Sequence, residues 1–225
     1  MTASFQNFIN FDLPFAIFEK AGRVTFYQGD VHTLECLEDI HTLSVKEKRD
    51  VVFALPYRAI RERGFEAIGD EPILAMSVQN SMTLDKAEVI SQIKDVPIIL
   101  AGEMTPSISD EDYAQLVRDF QINEIGGGNT SQTTISRKFS GQVTGLNINV
   151  LLSIYRKLLL SRGQYMTVLF GNVNVSDASK SQYLIGATPE RHIEVVGNET
   201  IMIPIAGTLR KEDRATFEAR LEKFL

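Results

Sequence analysis

The chain carries one cysteine, Cys36, in 225 residues. No intrachain disulfide can form, and a reducing compartment, the cytoplasm, is the simplest expectation. Cys36 itself reads as a small buried hydrophobe, since no helix N-terminus or neighbouring base in the sequence suggests activation. No stretch approaches the roughly 18 to 20 apolar residues that a membrane span requires. The opening "MTASFQNFINFDLPF" has no basic flank ahead of a continuous apolar run, so it does not read as a secretory signal. Basic charge is also short: 23 Lys and Arg face 29 Asp and Glu, for a formal net charge of -6. That balance excludes a general nucleic-acid footprint while leaving room for a local basic pocket. Histidine is scarce, and His32, His41 and His192 have no partner at metal-ligand spacing, which argues against zinc. The chain also lacks a GK[ST] phosphate loop and a G-x-S-x-G elbow, so nucleotide and serine-hydrolase chemistry have no support.

What is present is a series of short apolar runs bounded by Gly, Pro, Asn or Asp. The expected strands are 15–18, 23–27, 51–55, 73–78, 97–102, 133–139, 166–173, 183–187, 192–196 and 200–205. The last two, separated by "GNE", form a hairpin. Helices are fewer. Ser109 ahead of Asp112 resembles a capping box, and Tyr113, Leu116, Val117 and Phe120 follow at helical spacing. Leu151, Leu152, Tyr155, Leu158 and Leu159 make a second apolar face, and residues 84–94 a third. From Glu212, the spacing of Phe217, Leu221 and Phe224 predicts a helix that is cut mid-element at Leu225. Strands outnumber helices and follow one another directly, which predicts an α+β fold with largely antiparallel sheets and packed helices. The segment "GEMTPSISDED" (102–112) is the best boundary, dividing 1–102 from 103–225.

Two stretches could carry chemistry. In "EIGGGNTSQTTISRKF" (124–139), glycines leave a helix and enter a strand, the reverse of a phosphate loop, so they read as a helix stop and turn. In "IMIPIAGTLRK" (201–211), an apolar strand runs into bare backbone, a hydroxyl and two cations, an arrangement that suits one wall of an anion site.

Three motifs occur in order: "GGGNTSQTTISRKF" (126–139), "GATPERHIEV" (186–195) and "PIAGTLRK" (204–211). Together they resemble the chorismate-utilising enzymes, which include the large subunit of anthranilate synthase. The leading segments "GDVHTLECLEDI" (29–40) and "VVFALPYRAIRERGF" (51–65) resemble the aminodeoxyisochorismate synthases of phenazine and related secondary pathways. The resemblance implies addition of a nucleophile at C2 of chorismate with loss of the C4 hydroxyl, assisted by Mg²⁺ whose glutamate ligands have no counterpart in this chain. It implies chorismate contacts through the backbone of Gly207 and the hydroxyl of Thr208. Arg210 and Lys211 read better as solvated surface. Ammonia would come from a glutamine amidotransferase domain or subunit, and the family also admits homodimers.

Gln132 is the most informative residue of the resemblance. Water-adding relatives, the isochorismate and salicylate synthases, place there a lysine that activates water. An amide has no pKa near neutrality and cannot take that proton, whereas neutral ammonia needs no such base. Gln132 therefore implies amination, giving 2-amino-2-deoxyisochorismate or, after pyruvate elimination, anthranilate. The family's feedback site has a proline before Tyr-Met; here Gln164 precedes Tyr165 and Met166, which implies secondary metabolism rather than tryptophan supply. The expectation is thus an aminating enzyme present as an inactive N-terminal piece. Its rivals are a non-catalytic remnant acting by association and a water-adding synthase.

Overall fold

The computed structural model describes residues 4–161, 165–191 and 193–203. They fall into two compact units, one of residues up to Pro97 together with Asn147–Met202, the other including Ile98–Leu146. The fold is α+β.

The first unit is built on a six-stranded antiparallel sheet. In chain order its elements are β1 (Phe15–Lys20), β2 (Arg23–Leu34), helix α1 (Leu37–Glu47), β3 (Val51–Ala54), β4 (Ile73–Asp85) and helix α2 (Lys86–Gln92). The strands run across the sheet as β3-β4-β2-β1, followed by two strands from the later part of the chain. Ala21 and Gly22 join β1 to β2 with positive φ angles of 51° and 80°, the backbone that a two-residue hairpin with native twist needs. The long β2–β4 ribbon slips register between Gln28 and Gly29. A Cβ at Gly29 would lie 2.0 Å from the Ser77 carbonyl oxygen, so only glycine permits that approach. Buried Gln28 fastens the N-terminal segment: its side chain accepts from Asn10 N–H at 2.7 Å and donates to the carbonyls of Asn10 and Pro14.

Period-two alternation sends the two faces of β1 into different clusters. Phe15 and Ile17 join Val24, Phe26, Val89, Tyr155, Leu159 and Leu169 on one side. Ala16 joins Met76, Val78 and Phe170 on the other. Phe26 is fully buried and stacks on Phe5 with centroids 4.8 Å apart. Each such side chain contributes about 1.5 to 3 kcal/mol by leaving water.

The middle of the chain forms the described part of the second unit: β5 (Thr105–Pro106), helix α3 (Asp110–Asp119) and β6 (Phe139–Ser140). Returning to the first unit, helix α4 (Ile148–Leu160) is capped by Asn147, whose side chain accepts from Asn149 and Val150 N–H. Then come β7 (Met166–Asn172) and β8 (Gln182–Thr188), which complete the sheet, and the small hairpin β9 (Glu194–Val196) and β10 (Glu199–Ile201).

The structure departs from the sequence expectation in several places; β2 and β4 run on to Leu34 and Asp85, well past the expected ends at 27 and 78 and into the start of the expected 84–94 helix. Helix α1 had no apolar stripe to announce it, and only Leu43 of its residues is buried. Local chemistry defines it instead: Asp39 accepts from Cys36 N–H at 3.0 Å, and Lys48 ends the helix in the left-handed region. Cys36 is accordingly half-exposed at a helix N-cap, not a buried hydrophobe away from one. The expected strand 97–102 is reduced to a single antiparallel bridge between Leu100 and Val143. Of 133–139, only Phe139 pairs, opposite Pro106. Both stretches have strand composition, but neither has a neighbouring strand along its length, and pairing rather than propensity makes a strand.

Candidate functional site

The glycine turn and the segment behind it are organised by α3. Ser109 caps that helix, its oxygen accepting from Asp112 N–H at 3.0 Å. The chain widens into a π-helical turn, Phe120–Ile125, and stops at Gly126–Gly127–Gly128. A Cβ on Gly126 or Gly127 would lie 2.5 or 2.2 Å from the carbonyl oxygens of Ile122 or Asn123, and Gly128 takes φ 73°. The run is a helix stop, as its order in the sequence predicts. Asn129 then ties the turn back to Glu124, through its backbone at 2.8 Å and its side chain at 3.1 Å. Thr130 Oγ1 donates to the Gln132 carbonyl at 2.8 Å. Gln132 thus has a held backbone and an exposed side chain.

Five residues on, a clamp fastens the same segment. Arg137 forms an ion pair with Asp110 and lies over the rings of Tyr113 and Phe139, at 5.5 and 4.7 Å from their centroids. Tyr113 Oη donates to the Ile135 carbonyl at 3.1 Å, and Ser107 N–H to the Lys138 carbonyl at 2.7 Å. Sequence reading passed over Arg137; the signal it offered was a cation flanked by aromatics at 113 and 139.

The second motif, "GATPE", ends β8. Thr188 Oγ1 accepts from Glu190 N–H at 3.2 Å and donates to the Glu190 carbonyl at 3.1 Å, closing the turn that its sequence implies. Immediately beyond it four side chains converge that the sequence did not single out together. Glu194 forms ion pairs with Lys20 and, at 3.2 Å, with Arg191, and accepts from Tyr165 Oη at 3.3 Å. The Tyr165 ring has Lys20 Nζ at 5.4 Å and the Arg191 guanidinium at 5.2 Å. The Lys20 hydrogen bond above all holds the Glu194 carboxyl below its ordinary value, and the same bond raises Lys20. Two cations around one carboxylate make a locally positive spot on an acidic chain. Deeper in the same unit, Glu19, Thr167 and Tyr155 are buried. Burial first, and the Glu19 charge second, pushes the Tyr155 phenol up, so it stays neutral and serves no base.

Gly207, Thr208, Arg210 and Lys211 lie outside the described residues, as does His192. Among the described residues, Gln132 belongs to the second unit and the "GATPE" turn to the first. No three His, Cys, Asp or Glu side chains among the described residues come together as metal ligands. Among them too, no helix is long and apolar enough to cross a membrane.

The family comes from comparison with known proteins. The model of the chorismate binding enzyme family matches residues 76–225. The chain belongs to that family. It is 35% identical over 207 residues to the phenazine-specific anthranilate synthase of Pseudomonas chlororaphis, covering 88% of this chain and 31% of that protein. The protein of the same description from Pseudomonas fluorescens is 35% identical over 163 residues, 72% of this chain and 24% of the relative. The chain therefore spans about a third or less of the length of these relatives.

Proposed function

We propose that this chain supplies part of an aminating chorismate enzyme of secondary metabolism, acting in the cytoplasm. In this reaction a C2–N bond forms between ammonia and chorismate. Both conjugated ring double bonds shift, C1=C2 to C6=C1 and C5=C6 to C4=C5, the C4–O bond breaks, and the hydroxyl departs as water on gaining a proton. The product is 2-amino-2-deoxyisochorismate, or anthranilate if pyruvate is then eliminated. The observation that carries the reading is Gln132. A neutral amide stands where water-adding relatives use a lysine base, and its backbone is pinned by Thr130 behind the glycine stop. Such a residue can orient neutral ammonia by hydrogen bonding but cannot deprotonate water. The names of the relatives support the same direction.

Gly207 N–H and Thr208 Oγ1 are the groups proposed to meet the substrate, since a glycine lets the main chain approach closely. When bound, Mg²⁺ would neutralise the ring carboxylate and act as a Lewis acid. Ammonia is proposed to arrive from a glutamine amidotransferase domain or subunit. On this reading the 225-residue chain alone does not turn chorismate over.

The test replaces the matching third of the Pseudomonas chlororaphis enzyme with this chain and follows chorismate products by chromatography. The chimera is expected to aminate, and Gln132→Lys to divert a measurable share of product to isochorismate. If that variant yields no isochorismate above the parent while still consuming chorismate, the role of Gln132 is wrong. Turnover by the purified 225-residue chain with chorismate, ammonium and Mg²⁺ would refute the predicted inactivity.

A further inference from the structure

Three polar side chains are sunk in the core of the first unit with fewer hydrogen bonds than they can make. Glu19 on β1 stands directly opposite Thr167 on β7, on the face of the sheet that carries Ile17 and Leu169. Helix α4 lays Tyr155 into the same cluster. Tyr155 and Thr167 are fully buried, and Glu19 is 5% exposed. Neither Tyr155 Oη nor Thr167 Oγ1 has a hydrogen-bond partner among the described residues. A hydroxyl buried in this way gives up its solvent bonds without replacement, which folded proteins rarely tolerate.

The carboxylate links the two hydroxyls. Both partners of Glu19 meet its Oε1: Gly22 N–H donates to it at 3.0 Å, and Lys86 Nζ lies 3.8 Å away. Oε2 is the acceptor that remains. Residues directly opposite in an antiparallel pair hold their Cβ atoms about 4.5 to 5.5 Å apart. That is about the span of two hydrogen bonds through one oxygen atom. The Glu19 charge also reaches the Tyr155 phenol, where it adds to the effect of burial. A carboxylate oxygen, a phenol and a threonine hydroxyl thus converge from β1, α4 and β7.

We propose that these three groups bind one water molecule inside the first unit. The water accepts from Tyr155 Oη, donates to Glu19 Oε2 and bonds Thr167 Oγ1, the three partners typical of an internal water. Lys86 already balances the carboxylate, so a bound cation would bring an uncompensated charge into the core. A calcium-like ion would also need about six to eight oxygens, more than this site offers. A larger ligand has no way in, because Ile17, Val24, Leu159 and Leu169 are each 1% exposed or less. The water ties α4 to the middle of the sheet by polar bonds, alongside the apolar packing around it.

Oxygen-17 relaxation dispersion of the purified 225-residue chain, which counts waters held longer than the protein takes to tumble, tests the site. The wild type should hold one more such water than the Tyr155→Phe/Thr167→Val double variant. In urea unfolding, each single substitution should lower the folding constant of the first unit about fivefold. The double variant should lose less than the product of the two, since the second hydroxyl has nothing to bond once the water has gone. Thr167→Val, the milder change, gives the same water count should the double variant not fold. Hydroxyls without a water would behave oppositely, and deleting either would strengthen the fold. A direct bond from Tyr155 to Glu19 would make Tyr155→Phe alone costly. Either of those results, additive losses, or an unchanged water count overturns the proposal.

Discussion

The two units differ in what holds them. In the first, 22 apolar side chains among the described residues are buried, from Phe5 to Phe170, and most of them gather in two clusters on the faces of one sheet. In Ile98–Leu146 of the second, not one residue is buried, and Ile99, Met104, Ile122 and Phe139 are each about half or more exposed. That stretch nevertheless has a capped helix, a glycine stop and a set of strand-like contacts. The first unit is specified by exclusion of water, the second by polar clamps placed at particular residues. The candidate amide Gln132 sits in the second kind of structure.

The largest test of this contrast is a cavity. Phe26→Ala removes a fully buried ring and its stacking on Phe5, and should cost the first unit about 3 to 5 kcal/mol, measured by urea unfolding. Ile122→Ala, at a residue 69% exposed, should change stability by less than about 0.5 kcal/mol. Comparable losses at both positions would mean that the second unit has an apolar core after all.

A clamp test comes next. Arg137→Met keeps much of the side chain's bulk but removes the ion pair to Asp110 and both ring contacts. Local opening of the segment should become easier by about 1.4 kcal/mol, read as roughly tenfold faster amide exchange at Ser107 and Lys138. The urea midpoint of the first unit should stay where it was. Exchange unchanged at those two amides would remove Arg137 as the fastening.

The same contrast explains what was legible in the sequence. Strands β1, β2, β4, β7 and β8 were read because Val, Ile, Phe and Leu alternate or cluster there, and a buried sheet demands that pattern. Helices α3 and α4 announced themselves by spacing, with Ser109 as an added signal for α3. Helix α1 did not, since "LEDIHTLSVKE" has a single buried residue and takes its limits from Asp39 and Lys48. Segments 97–102 and 133–139 misled because apolar β-branched composition was taken for pairing; the second is fastened instead by Tyr113, Arg137 and Ser107, and the first by backbone bonds of Ile99 and Ala101 to Thr144 and Gln142. In the site, the helix-stop reading of Gly126–Gly128 followed from local order, but the meaning of Gln132 came only through resemblance. The Lys20–Glu194 pair joins residues 174 apart in sequence, a contact that no local pattern encodes.

That pair gives the smallest effect, and it marks where the first unit borrows the second's way of holding together. Glu194 is depressed and Lys20 raised, so their contributions have opposite limits in pH. The carboxylate's share is complete above its ordinary 4.5 and is lost as pH falls through the lower folded value. The ammonium's share is complete below 10.5 and is lost as pH rises through the higher folded value. Between those limits both operate. The side chains are 41% and 26% exposed, so solvent screens the pair, and Arg191 remains to compensate. Lys20→Met should therefore cost less than about 1 kcal/mol near neutrality. Urea titrations of wild type and variant should converge in acid, once Glu194 is protonated. A difference that persisted there would assign the loss to the packing of the Lys20 stem against Tyr165 rather than to charge.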